Sequence, residues 1–209
     1  MKSLRMARSS PTDRPLFVQS EQWFHRASAA LLGSLPCRRG CHRCCIGPFA
    51  ITILDAEELQ RGLPALPAHT RRDIESRARA QAAALESAYP RLKATPFLDG
   101  WPDGEIDRLV AQFAELPCPA LDKDGSCRVY PFRPLVCRTM GIPTESDGLV
   151  QGACEVQTSV PLIRPSRATR EQEQQLAGQE AVEIATRCGT APESGEEVLL
   201  AYGFLPEDA

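Results

Sequence analysis

Nine cysteines are distributed unevenly along this chain of 209 residues. Eight of them fall into two groups, a tight CxxxCxxCC run near the start of the sequence and four separate thiols in its middle part. The first group is Cys37, Cys41, Cys44 and Cys45, and the second is Cys118, Cys127, Cys137 and Cys154. Thiolates are soft ligands that suit zinc, copper(I) and iron–sulfur centres. Because so dense a run exceeds what the packing of small buried side chains explains, the pattern predicts a metal site.

The compartment and the size of the core decide between metal ligands and disulfides. With 43% hydrophobic residues, a chain of this length can bury an ordinary core without disulfide staples. The basic start, residues 1–14, lacks the apolar stretch of about 7 to 15 residues that a secretory signal contains. The sequence contains no run of about 18 apolar residues, the length that could span a membrane. We therefore expect a cytoplasmic protein without a membrane partner, in which clustered cysteines stay reduced and bind metal.

Charge excludes one class of partner and marks the cysteine groups. The net charge of −3 gives no reason to expect a nucleic-acid partner. Basic residues nevertheless interleave with both cysteine groups: Arg38, Arg39, His42 and Arg43 in the first, and Arg128, Arg133 and Arg138 in the second. Either they form a solvated face, or they lower thiol pKa values and offset the charge of coordinated sulfurs. Since the arginines follow the cysteines in both segments, we favour charge compensation.

The predicted fold is mainly α, a small irregular helical domain with a short strand or hairpin element, organised around a cysteine-ligated metal site. Helices are predicted over residues 20–32, 68–89, 105–116 and 167–187 from residue periodicity and helix-forming composition. A capping box of Asp55 and Glu58 predicts a further short helix over residues 55–60. The sequence of residues 48–54 predicts a short strand or an extended entry to the next helix. The expected organisation is an N-terminal helical segment (1–36), a cysteine-cluster metal-binding domain (37–154) and a C-terminal helical extension packed on that domain (155–209).

The spacing of the first cysteine group leaves two arrangements open. On an ideal helix its four thiols would form one stripe about 100° wide. Cys37 and Cys45 would then stand about 12 Å apart along the axis, too far for one zinc ion with sulfurs at about 2.3 Å. Either a bend at Gly40 gathers the four thiols, or the first group joins the second in a polynuclear or two-metal site. We favour the second arrangement.

The second group contains its own folding signals. The DKDGS sequence at residues 122–126 predicts a turn, which places Cys118 and Cys127 on opposite arms of a hairpin-like loop, near enough to share a metal. Pro134 suits the first turn of a short helix that would carry Cys137. Cys154 follows a glycine-rich loop. Which sulfur binds which metal atom stays open.

Two stretches and a later thiol resemble a known family. They are CRRGCHRCCIGPFAIT (residues 37–52), CPALDKDGSCRVYPFRPLVCRTMG (residues 118–141) and Cys154. They are similar to the cysteine-cluster family named for its CxxCxxCC motif, whose suggested role is zinc or iron chelation. The resemblance spans somewhat over half of the chain. One departure is that three residues, not two, separate the first two cysteines.

The resemblance implies a small domain, mostly found in bacterial proteins, whose eight cysteines chelate metal. Residue by residue it implies ligand roles for Cys37, Cys41, Cys44, Cys45, Cys118, Cys127, Cys137 and Cys154. It places Arg133, Pro134 and Arg138 among the surrounding motif positions. Some relatives are labelled flagellin lysine N-methylases, but this chain has no GxGxG-like loop after a strand to bind a methyl donor.

Three functions are compatible with these residues. The leading one is chelation of zinc or iron by eight thiolates, with an iron–sulfur cluster as one form of the iron site. The alternatives are an iron–sulfur-dependent enzyme that modifies a protein or peptide partner, and a thiol redox sensor built on the vicinal Cys44 and Cys45. The residues leave open whether a reaction takes place. We expect His42 to support the site from outside the ligand set and Cys188, which has no spaced partner, to be inert.

Overall fold

The structure, a computed structural model, describes residues 14–30, 40–142, 144–146, 149–151, 166–190 and 195–206. Its helices are α1 (Pro15–Ala30), α2 (Ile53–Gly62), α3 (Ala68–Ala88), α4 (Arg91–Ala94), α5 (Asp103–Gln112), α6 (Leu135–Thr139) and α7 (Arg167–Thr190). Its strands are β1 (Ala50–Thr52), β2 (Thr144–Ser146), β3 (Leu149–Gln151) and β4 (Glu197–Leu199). β1 pairs antiparallel with β4, and β2 with β3. The prediction of a mainly α fold with short strand and hairpin elements is confirmed.

Helix α1 buries one apolar face against α6 and α7. Pro15 occupies its first position, where the missing N–H costs no helical hydrogen bond. Phe17, Trp23 and Ala27 are buried on that face. The indole N–H of Trp23 donates to the Thr169 carbonyl at 2.9 Å, which fixes α1 to the first turn of α7.

Helix α2 follows β1 without a loop. The Thr52 hydroxyl accepts the N–H of Asp55, and the Asp55 carboxylate accepts the N–H of Thr52, both at 3.4 Å. This reciprocal pair starts the helix at Ile53. The expected capping box of Asp55 and Glu58 is therefore wrong: Thr52 is the capping residue, and Glu58 instead pairs with Arg61 at 2.9 Å.

The C-terminal residues complete the core beside the cysteine segments. Val198 of β4 lies opposite Ile51 of β1. Both pack in a buried cluster with Leu59 and Phe204, and Cys118 and Cys127 lie against the same cluster. A second cluster combines Leu16, Leu54 and Leu176, one from each of the three predicted segments. The segment boundaries themselves stay a prediction.

The predicted helices occur with shifted ends. α3 and α7 begin at the predicted residues, whereas α1 begins five residues earlier and α5 two residues earlier than expected. The predicted strand is shorter because the Thr52 cap turns the chain into α2. The predicted end of the first helix lies outside the described residues. Within the described ranges, no helix combines the length and the apolar character needed to cross a membrane.

Candidate metal centre

The described part of the first cysteine group forms a tight turn. Gly40 has a φ of +86°, a left-handed conformation that favours glycine. Arg43–Cys45 then make one 3₁₀ turn, in which the N–H of Cys45 donates to the His42 carbonyl at 2.9 Å. A straight helical stripe does not occur over residues 41–45. Cys37, the first predicted ligand, lies outside the described residues.

Backbone hydrogen bonds fasten the first cysteine group to the second. The N–H of Cys118 donates to the Cys45 carbonyl at 2.7 Å, and the N–H of Gly47 donates to the Leu116 carbonyl at 2.7 Å. Ile46 and Pro117 form the antiparallel bridge between these bonds. Two thiols that are 73 positions apart in sequence are thereby carried on adjoining backbone.

The second group folds back on itself as predicted. The N–H of Asp122 donates to the Ser126 carbonyl at 2.9 Å, and Leu121 bridges to Cys127. The N–H of Leu121 in turn donates to the Cys118 carbonyl at 3.0 Å. Cys118 and Cys127 therefore stand on opposite arms of a hairpin-like turn, and this prediction is confirmed.

Cys137 reaches the same region on the short helix α6. Pro134 precedes the helix and caps it, close to its predicted position in the first turn. The Asp55 carboxylate accepts the N–H of Leu135, the first residue of α6, at 2.7 Å in a buried environment. The start of α2 therefore holds the helix that carries Cys137.

Cys44 and Cys45 are neighbouring, half-buried thiols. The hydrogen bond from Cys45 lowers the pKa of Cys44 to about 6, with smaller contributions from Arg133 and His42. The same bond, together with burial and the neighbouring Cys118 and Cys137, raises the pKa of Cys45. The two shifts are opposite in direction, so Cys44 is the more acidic thiol of the pair.

The remaining thiols of the region are buried and interact with one another. Burial, with a smaller contribution from Cys127, raises the pKa of Cys118 to about 12, while Arg128 opposes the shift. Burial also raises the pKa of Cys127 and of Cys137, and Cys44 adds to both shifts. The pKa of each of these thiols therefore depends on at least one other cysteine, and the interacting cysteines come from both sequence segments.

The thiols are neighbours but do not form a ready set of ligands. Among the residues that the structure describes, no three cysteine, histidine or carboxylate side chains stand together in a metal-binding arrangement. Cys154, like Cys37, lies outside those residues. Cys41 lies beside Gly40, in the segment that faces the turn of residues 122–126. The ligand roles of the eight cysteines thus stay a prediction.

The arginines beside the cysteines are tied down by carboxylates. Arg133 and Arg138 are both buried, and both contact Glu21 of α1, at 3.1 Å and 2.6 Å. Arg128 contacts Asp73 of α3 at 2.6 Å. These three arginines of the second group are therefore not a solvated face, whereas His42 and Arg43 of the first group are exposed. Charge compensation thus stays a prediction for the first group.

Two supporting residues could not be recognised in the sequence. Glu21 is the one carboxylate of α1, but it precedes both cysteine groups and has no local pattern that links it to Arg133 or Arg138. Asp55 could be assigned only as a helix cap. Cys188 lies apart on α7, where its thiol donates to the Gly195 carbonyl at 3.7 Å. His42 keeps a local contact, with Nδ1 3.2 Å from the Gly40 carbonyl oxygen.

Gly125 controls how closely the two cysteine segments approach. Its φ is +81°, and a Cβ there would lie 2.8 Å from the Gly40 carbonyl oxygen and 3.0 Å from Nδ1 of His42. We expect Gly125→Ala to lower the free energy of unfolding by about 2 to 3 kcal/mol, since it adds this clash to the left-handed strain. The measurement is chemical denaturation.

Gly100→Ala is the matched control for this effect. Gly100 also has a positive φ of +69°, but the nearest atom to its Cβ position is a flexible guanidinium nitrogen of Arg91 at 3.9 Å. It should lose only the conformational part, about 1 kcal/mol. Equal losses in the two variants would contradict the close approach of the segments.

Comparison with known proteins identifies the family and nothing closer. No curated protein and no solved structure matches the chain. Residues 36–157, well over half of the chain, match the CxxCxxCC family, described as "Putative zinc- or iron-chelating domain". The match includes all eight grouped cysteines and the junction between the two segments. The chain therefore belongs to the CxxCxxCC family.

Proposed function

We propose that this protein chelates zinc or iron through cysteine thiolates drawn from both segments. The ligand set in this proposal is Cys37, Cys41, Cys44, Cys45, Cys118, Cys127, Cys137 and Cys154. The family description supports zinc or iron chelation in general terms. The number of ligands, the number of metal atoms and an iron–sulfur form are the finer parts of the proposal.

One observation carries the proposal, the meeting of thiols from two distant segments. The Cys45 carbonyl accepts the N–H of Cys118, and Cys44 interacts electrostatically with Cys127 and Cys137. Cysteines are soft donors, and a set of them around one junction fits zinc or iron better than it fits a hard cation such as magnesium.

The raised pKa values of the buried thiols support a site in which metal binding displaces protons. Burial raises the pKa values of Cys118, Cys127 and Cys137, so these thiols hold their protons at neutral pH when no metal is present. A bound zinc or iron ion would supply the positive charge that favours their thiolate forms. Binding releases protons, and affinity should therefore fall as the pH falls.

The experiment is metal analysis of the full chain purified without oxygen. A colourless protein with stoichiometric zinc supports a closed structural site, whereas a brown protein with iron and acid-labile sulfide supports an iron–sulfur centre. Absence of both metals from protein with fully reduced thiols, together with failure to bind added Zn²⁺ or Fe²⁺, would overturn the proposal.

The Cys44–Cys45 pair favours one alternative, a thiol redox sensor. A thiolate near neutral pH beside a second thiol is the arrangement that oxidants attack first. In this alternative, purified protein without metal would form a disulfide under mild oxidation and recover two thiols on reduction. Metal that protects both thiols from alkylation would favour chelation instead.

A further inference from the structure

We propose that the Nε–H of Arg133 donates a hydrogen bond to a cysteine thiolate of the metal-loaded centre. Arg133 would then be a positioning residue that compensates charge at the junction of the two cysteine segments. This inference rests on the proposed function. It is carried by the different ways in which three neighbouring arginines use their nitrogen atoms.

Arg138 has a partner for every nitrogen of its guanidinium group. Its Nε–H donates to the Arg133 carbonyl at 3.0 Å, and its two terminal nitrogens bond Glu21 at 2.6 Å and the Pro131 carbonyl at 2.9 Å. The side chain is only 2% exposed. Each nitrogen of Arg138 therefore already has an acceptor in this buried position.

Each nitrogen of the Arg128 guanidinium group also has a hydrogen-bond acceptor. Its Nε–H lies 3.4 Å from the Ala120 carbonyl oxygen, and its terminal nitrogens bond Asp73 at 2.6 Å and the Pro119 carbonyl at 2.9 Å. These bonds fix the loop between Cys118 and Cys127. Arg128 therefore acts on the thiols through its charge and through the loop geometry.

Arg133 differs because one of its donors has no acceptor. A terminal nitrogen bonds both carboxylate oxygens of Glu21, at 3.1 and 3.2 Å, and the guanidinium stacks on the Tyr130 ring, 3.9 Å from its centroid. Its Nε is buried without a hydrogen-bond partner. Within the described residues only two other side-chain atoms share that condition, Ser28 Oγ and Trp101 Nε1.

An unpaired buried N–H calls for an acceptor. Leaving such a donor unsatisfied costs about 1 to 3 kcal/mol, and Glu21 and Tyr130 hold the guanidinium so that it cannot turn to water freely. The Arg133 charge acts on Cys44 of the first segment and Cys127 of the second. A thiolate at this junction is the acceptor that the position offers once a thiol has lost its proton.

The negative charge of a metal-bound thiolate cluster explains what the Arg133 Nε–H would do at this site. Several thiolates around one divalent ion leave a net negative charge, and N–H groups that hydrogen-bond the sulfurs disperse it. Outer partners of this kind typically change metal affinity about 10- to 100-fold. Arg133 supplies a positive charge and a buried nitrogen without an acceptor, whereas every nitrogen of Arg128 and Arg138 already has an acceptor.

The first test is NMR of the uniformly ¹⁵N-labelled full chain, without and with ¹¹³Cd²⁺ as the metal probe. We expect the Arg133 Nε–H resonance to shift on loading and to show a through-hydrogen-bond coupling to ¹¹³Cd. The Arg128 and Arg138 Nε–H resonances should show no such coupling. Each resonance is assigned by its loss in the corresponding Arg→Lys variant.

The outcomes separate the two proposals. Cadmium that binds through sulfur while the Arg133 resonance stays unmoved and uncoupled overturns this inference and leaves metal chelation intact. Failure of cadmium to bind through sulfur overturns the proposed function, and this inference with it.

Affinity of the variants for Zn²⁺, measured by competition with a chelator, is the second test. Arg133→Lys keeps the positive charge but lacks the Nε–H, so we expect about tenfold weaker binding. Arg128→Lys is the comparison variant, since it also keeps the charge but loses bonds to carbonyl and carboxylate oxygens and none to sulfur. We expect a smaller loss of affinity, which reports the loop between Cys118 and Cys127. Unchanged affinity in Arg133→Lys, which keeps the charge, would assign Arg133 to charge alone. Equal weakening in both variants, without cadmium coupling to Arg133, would overturn the hydrogen bond to sulfur.

Discussion

Cys137→Ser and Cys44→Ser are each expected to lose nearly all bound metal, whereas Cys188→Ser retains it. A serine hydroxyl does not ionise near neutral pH and is a poor ligand for the soft ions that thiolates select. Cys137 and Cys44 come from different segments and interact with each other. Cys188 lies on α7, bonded to the Gly195 carbonyl. The measurement is metal content per chain after anaerobic purification and removal of loosely bound ions.

The same variants should lose the stabilisation that metal provides. A ligand bound only by the folded state stabilises it by about 4 kcal/mol when its concentration is a thousand times the dissociation constant. Unfolding with and without a chelator should therefore give a large difference for the native sequence and for Cys188→Ser, and almost none for the other two. Equal metal loss in all three variants would contradict the ligand assignment, because Cys188 would then matter as much as Cys137.

Local sequence patterns predict the elements that carry the second cysteine group. The DKDGS turn needs only residues near one another in sequence, and the described hydrogen bond between Asp122 and Ser126 closes it. Helix α6 follows from Pro134 in the same way. Long helices such as α3 are predictable because alanine and arginine favour helix throughout and no proline interrupts it.

Long-range contacts are what the sequence does not reveal. Nothing in residues 50–52 indicates that β4 is their partner, since short strands have little pattern of their own. The bond between Cys118 and Cys45 likewise depends on where the intervening helices place the chain. Glu21 could not be assigned to Arg133 and Arg138 because more than a hundred residues separate them.

The helix considered for the first group shows a related limit. Periodicity places the thiols of residues 41–45 on one stripe, but periodicity does not report whether a helix forms. The left-handed Gly40 and the bridge of Ile46 to Pro117 allow only one 3₁₀ turn there. Tertiary pairing outweighed local helical preference at this site.

Asp55→Ala should be among the most destabilising single substitutions in the chain. The Asp55 side chain is buried and accepts the N–H groups of Thr52 and Leu135, at 3.4 and 2.7 Å. Alanine leaves both donors without an acceptor, at about 1 to 3 kcal/mol each, so we expect a loss of about 3 kcal/mol or more. Asp55→Asn, which can still accept one N–H, should lose about half as much. The measurement is chemical denaturation.

The pH dependence gives Asp55 a signature of its own. Burial raises its pKa to about 7, against an ordinary value of 3.8, while the bond from Leu135 opposes the shift. Between these values the folded state binds a proton that the unfolded state releases, so the free energy of unfolding falls as pH rises from about 4 to about 7. Asparagine cannot titrate. The stability advantage of the native sequence over Asp55→Asn should therefore be largest near pH 4 and smallest near pH 8.

Comparing the two proteins at each pH removes the contributions of groups that do not interact with Asp55. Glu180 and Cys137 interact with the Asp55 charge, so part of their titration remains in the difference. Parallel stability curves would show that Asp55 does not change its proton affinity on folding. The contact of Asp55 with α6 gives a second prediction, for metal binding.

Asp55 accepts the N–H of Leu135, which lies two residues before Cys137. Asp55→Ala frees the start of α6, so the same variant should bind Zn²⁺ more weakly in chelator competition, although Asp55 is not among the proposed ligands.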